Sequence, residues 1–250
     1  LQSYRGARIS GIELRRPDVV RRADYGIEGI IGMSISALKR RGKYLDFVLE
    51  DGRHLVMHMG MSGRIFQQSK EDSAEGRHIH LVLHFDNGFR LVYQDARRFG
   101  GVWLVNNVDS LFKKLGVEPL DSTFNTAYLE EVLKNRKGSI KNLLLDQRII
   151  AGIGNIYADE ALYEAGIHPV RPARTLKRKE IARLVKALKK VLQMGIEQRG
   201  TTFRDFRDGY NKSGNFQEYL KVYGRHQQPC KKCGSALQRT RIGGRSSHFC

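Results

Sequence analysis

The hydrophobic pattern changes period once along the chain, near Pro119, and this limits the folds open to it. From Ala7 to about Val105 apolar and polar residues alternate, most clearly at 44–49, 78–85 and 89–93. Period-two alternation lays one face of a strand on a core and turns the other to solvent. Asp51-Gly52 and Asn87-Gly88 fall between such runs and supply the positive φ angles of tight hairpins. We therefore expect an antiparallel sandwich or flattened barrel. Beyond Pro119 the spacing becomes helical, with short helices at 127–135, 139–146 and 154–165, the last closed by Gly166 and Pro169. A longer helix is expected at 177–198. There Ile181, Leu184, Val185, Leu188, Leu192 and Ile196 form a core stripe, and Lys179, Arg183, Lys186 and Lys190 form a solvated basic face.

A chain of 250 residues suits one large or two medium domains. Its 44 Lys+Arg against 26 Asp+Glu leave a formal charge of +18. Solubility asks for magnitudes of only about 2–8 in a small domain. Nucleic acid is the commonest reason for such an excess, with a ribosomal or membrane-surface role, or a basic surface with no single ligand, as alternatives. No apolar run approaches the ~18–20 residues of a membrane span, and no signal-peptide pattern opens the chain. A cytosolic protein with a polyanionic partner is expected.

The cysteines narrow this further. Cys230, Cys233 and Cys250 form C-x2-C-x16-C, three quarters of a four-cysteine zinc pattern, and an odd count fits a disulfide framework poorly. The fourth ligand is expected three residues past Cys250. His248 is a weaker candidate because a single residue separates it from Cys250. Between the knuckles, Ile242-Gly243-Gly244-Arg245 reads as a hairpin tip presenting an arginine. The tail is too short to fold on apolar burial, so the metal must hold it together. Gly152-Ile153-Gly154-Asn155 precedes a helix, where amides and dipole favour phosphate, although two glycines also suit an ordinary turn. Residues 200–214 follow neither period and read as either a substrate cover or a plain surface loop.

Taken together, these segments resemble the formamidopyrimidine-DNA glycosylase family through essentially the whole chain and in the family's order. Arg40-Arg41-Gly42-Lys43-Tyr44 is similar to its catalytic-lysine strand. His58-Met59-Gly60-Met61-Ser62-Gly63 and Asp95-Ala96-Arg97-Arg98-Phe99-Gly100 are similar to its two DNA-penetrating loops. Residues 152–160 resemble its helix, two turns, helix signature, and the cysteine tail resembles its zinc finger. The resemblance implies an α+β fold with an N-terminal antiparallel β-sandwich at 1–118. A helical helix-two-turn-helix domain at 119–224 follows, with a lesion-capping loop at 200–214, and then a β-hairpin zinc finger at 225–250.

It also implies a base-excision repair enzyme, a bifunctional glycosylase and lyase that flips oxidised purines from duplex DNA. Such an enzyme removes 8-oxoguanine and formamidopyrimidines and cleaves the strand by β,δ-elimination. A flipped base leaves a hole that apolar wedges and an arginine suit. Met61 would fill the vacated position, Arg97 would face the orphaned cytosine and Phe99 would wedge the opposite strand; without the resemblance, Met61 and Phe99 read as core residues. His78, Arg136, Lys141, Asn155 and Arg245 match positions that hold the DNA backbone. Lys43 would assist proton transfer in the lyase step, and Arg245 would add electrostatic help at the lesion phosphate. One structural Zn2+ on Cys230, Cys233 and Cys250, a monomeric protein, damaged duplex DNA as partner and a place in the bacterial cytosol or nucleoid complete the expectation. The family's N-terminal proline nucleophile and adjacent glutamate do not occur at Leu1, so we expect residues beyond both ends and an inactive fragment as written. An endonuclease VIII-like preference for oxidised pyrimidines, or damaged-DNA binding without catalysis, are the alternatives.

Overall fold

The computed structural model describes residues 2–72, 76–203 and 207–250. The chain divides into two compact units, Leu1–Lys113 with Arg199–Asn215, and Lys114–Gln198 with Phe216–Cys250.

In the first unit the alternating segments become strands. They are β1 (Ile9–Leu14), β2 (Val20–Ala23), β3 (Ile35–Arg41), β4 (Tyr44–Leu49), β5 (His54–His58), β6 (Gly63–Ser69), β7 (Ile79–Phe85), β8 (Phe89–Asp95) and β9 (Gly101–Val105). One sheet runs β1-β7-β8-β6 and the other β2-β9-β5-β4-β3. All described pairs are antiparallel except β2 with β9. Their inner faces interdigitate: Ile9, Leu81, Leu83, Leu91 and Tyr93 from the first sheet meet Ile35, Phe47, Leu55, Met57 and Leu104 from the second, all at most 1% exposed. Each such burial contributes about 1.5–3 kcal/mol. The four-stranded sheet departs from simple alternation, because its other face buries Phe66, Ile79, Val82 and Val92 as well. Between Ile79 and Leu81 the β7 register shifts by a bulge, which re-aims the side chains around His78 and His80. The segment 199–215 joins this unit; the Gln67 amide donates to the Gly209 carbonyl at 2.8 Å. Residues 204–206 of the expected capping loop lie outside the described residues. A short helix, α1 (Asp109–Phe112), closes the unit.

In the second unit the helical periods hold. Helices α2 (Thr126–Leu133), α3 (Ile140–Leu145), α4 (Asn155–Ala165) and α5 (Arg178–Glu197) pack around Leu129, Ile140, Leu144, Ile153, Ala158, Leu184 and Leu188. Asn125 caps α2 by accepting from the Tyr128 amide, and Ser139 caps α3 by accepting from the Asn142 amide. Glu180 in the first turn of α5 accepts the Lys177 amide at 2.8 Å and both ends of the Arg171 guanidinium. The α5 stripe fails at one position. Ile196 is 61% exposed, whereas Ala187, Val191 and Gly195 are buried, because in the last turn Met194 and Gly195, not Ile196, face the core and Tyr157. The tail forms a hairpin, β10 (Gln238–Ile242) and β11 (Arg245–Phe249). It packs on α4, where Leu237 and Cys230 join Tyr163 and Val222 in a small buried cluster. No helix among the described residues is long and apolar enough to cross a membrane.

Candidate nucleic-acid interface

Two connections of the first unit carry the exposed residues expected to meet DNA. Residues 59–62 join β5 to β6 and residues 96–100 join β8 to β9. The first is a tight turn in which the Gly63 amide donates to the Met59 carbonyl at 2.7 Å and the Gly60 amide donates to His58 Nδ1 at 3.1 Å. Gly60 sits at φ +57°, and a Cβ there would lie 2.6 Å from the Phe99 and Gly100 backbone, so the two connections touch only because this residue is glycine. Asp95, fully buried at the end of β8, ties them together. Its carboxylate accepts from the Ser62 hydroxyl at 2.6 Å, the Gly100 amide at 2.8 Å and the Arg97 amide at 3.3 Å. Outside this knot Met61 is 65% and Phe99 58% exposed, and the Arg97 guanidinium lies 5.8 Å from the Phe99 ring. These large apolar side chains, raised on a rigid polar base, serve no core.

Lys43 follows Gly42 at the β3–β4 hairpin and is half-buried. Burial first, and then the Lys43 ammonium, hold the His58 imidazole below its ordinary range, against an opposing pull from Asp95. The His58 ring also lies 4.4 Å from the Tyr44 ring, tilted by 39°. A neutral His58 that accepts at Nδ1 keeps its proton on Nε2. The structure thus brings Lys43, Met61, Arg97 and Phe99 around one knot. His78, exposed and at φ +68° at the bulged start of β7, adjoins the knot through its carbonyl, which accepts the Asp95 amide at 3.0 Å.

In the second unit the hairpin tip lies over the start of α4. The Asn155 Nδ2 donates to the Ser246 carbonyl at 3.0 Å, and its Oδ1 is buried with no protein partner. The residue before α4 is Gly154, which has no side chain to cap the helix. A helix N-terminus favours an anion. Arg245, exposed at the first position of β11, stands beside Ser246. Arg136 is exposed on a separate groove of about 570 Å³ with Tyr128, Asn135 and Arg148.

Lys141 departs from the expectation that it grips the DNA backbone. It is 0% exposed; its Nζ forms an ion pair with the Asp159 carboxylate at 2.6 Å and donates to the Ser247 hydroxyl at 2.6 Å and the Ser246 carbonyl at 2.8 Å. These three groups enclose the ammonium, so no phosphate reaches this nitrogen without opening the site. Burial pushes the Lys141 ammonium down while Asp159 pulls it up. Its role is to lock the hairpin to α3 and α4. Asp159 extends the lock by accepting the His248 amide at 2.9 Å. Neighbouring Glu160, also buried, accepts the amides of Lys221, Val222 and Tyr223 at 2.8–2.9 Å, fixing the chain that leads to the finger.

The three cysteine sulfurs lie within 4.8 Å of one another, with Cys233 and Cys250 at 3.4 Å. Thiolates bound at about 2.3 Å around one tetrahedral ion require this spacing. The Tyr163 hydroxyl, 3.3 Å from its sulfur, and the Lys232 amide draw the Cys230 thiol down to about 6. Hydrogen bonding to Cys233 and then Cys230 pushes Cys250 up to about 12. The cluster resists a second negative charge on its own, and a divalent cation removes that resistance, so the donor set fits zinc. His248 faces Asp159 and Tyr223, outside the sulfur group.

His58, Ser62, Asp95, Asp159 and Glu160 were not singled out from the sequence. Asp95 had a local signal, an acidic residue ending an apolar strand just before a tight Gly-closed turn. Lys141 aside, the partners of Asp159 and Glu160 lie more than fifty residues away in sequence, which leaves no such signal.

Family models match three stretches: the formamidopyrimidine-DNA glycosylase N-terminal domain at 1–102, the H2TH domain of the same glycosylase at 115–207, and the zinc finger found in FPG and IleRS at 227–250. The formamidopyrimidine-DNA glycosylase of Syntrophomonas wolfei is 50% identical over 250 residues, covering 100% of this chain and 93% of that relative. Among solved structures, the MutM (Fpg) protein of Thermus thermophilus is 37% identical with TM-score 0.88, over 99% of this chain and 91% of that one. The complex of Lactococcus lactis Fpg with abasic-site DNA is 33% identical with TM-score 0.91, over 100% and 93%. A sandwich with two knotted loops, a hairpin locked on α4 and a match along the whole chain lead to one conclusion: the chain belongs to the formamidopyrimidine-DNA glycosylase family.

Proposed function

We propose that the protein is a base-excision repair glycosylase that flips oxidised purines, 8-oxoguanine and formamidopyrimidines, out of duplex DNA, removes them and cleaves the strand. The observation that carries this is the exposed trio Met61, Arg97 and Phe99 on a base whose polar groups are internally satisfied. Unstacking a base costs a few kcal/mol, and inserted apolar side chains with an arginine offset it. Met61 fills the vacated stack, Phe99 wedges the opposite strand and Arg97 meets the base left without its partner. His78, Arg136, Asn155 and Arg245 hold backbone phosphates. Lys43 moves a proton during strand cleavage, while the zinc, held by Cys230, Cys233 and Cys250, shapes the finger. On this reading residues 1–118 carry the lesion-facing loops, 119–224 the helical grip with 200–214 as the cover, and 225–250 the finger. The exposed Phe203 and Tyr210 suit a cover of this kind. The partner is duplex DNA in the bacterial cytosol or nucleoid. Lactococcus lactis FPG has been solved in complex with Fapy-dG containing DNA, which supports the substrate class.

The test is single-turnover excision by the full-length protein on matched duplexes bearing 8-oxoguanine opposite cytosine, formamidopyrimidine or thymine glycol. Faster removal of the purine lesions is expected. A preference for thymine glycol would overturn the purine assignment, and tight binding without any excision would leave a damaged-DNA binder.

A further inference from the structure

A second basic recess, distinct from the Met61–Phe99 knot, opens on the other side of the 96–100 connection. It measures about 440 Å³ and is lined by Arg15, Arg16, His78, His80, Ala96 and Arg98. Arg97 turns toward Phe99, whereas its neighbours Ala96 and Arg98 line the recess, so one short connection presents opposite flanks to two sites. This alternation has an energetic cost. Arg98 sits at φ +54° and His78 at φ +68°, left-handed values that non-glycine residues adopt at about 1–3 kcal/mol and that cluster where function requires them.

The charges are arranged for an anion. Three guanidiniums face the recess against two carboxylates: Glu13 holds Arg15 at 2.7 Å, and Asp18 holds Arg98 at 2.6 Å and Arg16 at 3.5 Å. Asp18 thereby orients Arg16 and Arg98 together. Arg21 donates to the Arg98 carbonyl at 2.7 Å and braces the strained turn from behind. His80 supplies a wall. It is 5% exposed; its Nε2 donates to the Asp95 carbonyl at 2.7 Å, and its Nδ1 is buried with no protein partner. Buried polar nitrogens are almost always bonded, so this one calls for water or ligand.

We propose that Arg16 and Arg98, with Arg15 and His78 at the rim, form a seat for one backbone phosphodiester of the duplex. The seat would anchor the strand beside the connection that carries Arg97 and Phe99. It reads no base, so it fixes register rather than lesion identity. The planar, forked guanidinium suits the paired oxygens of a phosphate. The inference rests on the proposed duplex binding and adds a contact to it.

The experiment measures duplex affinity against salt for wild-type protein, the double variant Arg16→Gln/Arg98→Gln and the charge-preserving Arg16→Lys/Arg98→Lys. Each phosphate neutralised contributes about 0.9 to the slope of log K against log salt. The glutamine variant should lose about one unit of slope and weaken damaged and undamaged duplexes by the same factor, while the lysine variant keeps the slope. A methylphosphonate placed in turn along each strand should weaken wild type at one position where the glutamine variant is indifferent. An unchanged slope, or a lysine variant as weak as the glutamine one, would overturn the proposal while leaving the glycosylase reading intact. Wild-type protein that holds no duplex at all would sink both.

Discussion

Replacing Lys141 with Met tests whether this residue holds the protein together or touches DNA. The substitution puts an unbranched apolar chain where the ammonium lay and leaves Asp159, 0% exposed in its side chain, without its countercharge. Removing one partner of a buried pair costs about 3–5 kcal/mol, because the remaining charge is stranded away from water. The second unit has about 120 residues. At about 2.1 cal/mol/K per residue its unfolding entropy is about 0.25 kcal/mol/K, so the loss corresponds to a Tm lower by about 12–20 °C. Scanning calorimetry in zinc-saturated buffer should show that the drop is confined to one of two transitions. Hydrogen exchange should show early loss of protection at the His248 amide, which donates to Asp159. The double variant Lys141→Met/Asp159→Leu, which removes both charges, should recover most of the loss. At temperatures where the single variant is folded, its salt slope for duplex binding should match wild type, since the buried nitrogen neutralises no phosphate. A Tm within about 3 °C of wild type, or a double variant no better than the single, would refute the argument.

Asp95→Asn should loosen both DNA-facing connections, since the buried carboxylate accepts from Ser62, Arg97 and Gly100 together. Excision should fall more than affinity for undamaged duplex, and equal losses in both would contradict a positioning role. Cys233→Ser should weaken duplex binding while the first unit still melts cooperatively. Loss of that unit's transition would show that zinc supports more than the finger. Acid should destabilise the second unit through Glu164 and Glu180. Lys190 and Lys221 draw the first down to about 2, and Arg171 and the Lys177 amide draw the second down to about 2, from an ordinary 4.5. Because both folded values lie below the unfolded one, their stabilisation is present above about pH 4.5 and disappears as pH falls toward 2. Glu164→Gln/Glu180→Gln should flatten that limb of the Tm–pH curve, and an unchanged limb would count against the assignment.

The sequence determined the features that depend on neighbours along the chain. The period change near Pro119, the hairpin dipeptides and the α4 stop at Gly166 gave both halves of the fold, because strand and helix faces repeat every few residues. The C-x2-C-x16-C spacing gave the metal group, since it is a short contiguous string, whereas Met61, Arg97 and Phe99 were legible only through the resemblance of their two loop motifs to the family, the residues by themselves reading Met61 and Phe99 as core. Tertiary structure decided which charges are available and which are used up. Lys141 reads in sequence as one more basic residue on a helix, yet it meets Ser246 and Ser247 more than a hundred positions away and is lost to DNA. Arg98 reads as a twin of Arg97, yet a left-handed turn braced by Arg21 sends it to the opposite flank. Ile196 matches the α5 stripe but finds nothing to pack on. Local pattern fixes which side of an element is apolar, whereas burial, pairing and the satisfaction of a buried polar group are sums over residues that only folding brings together.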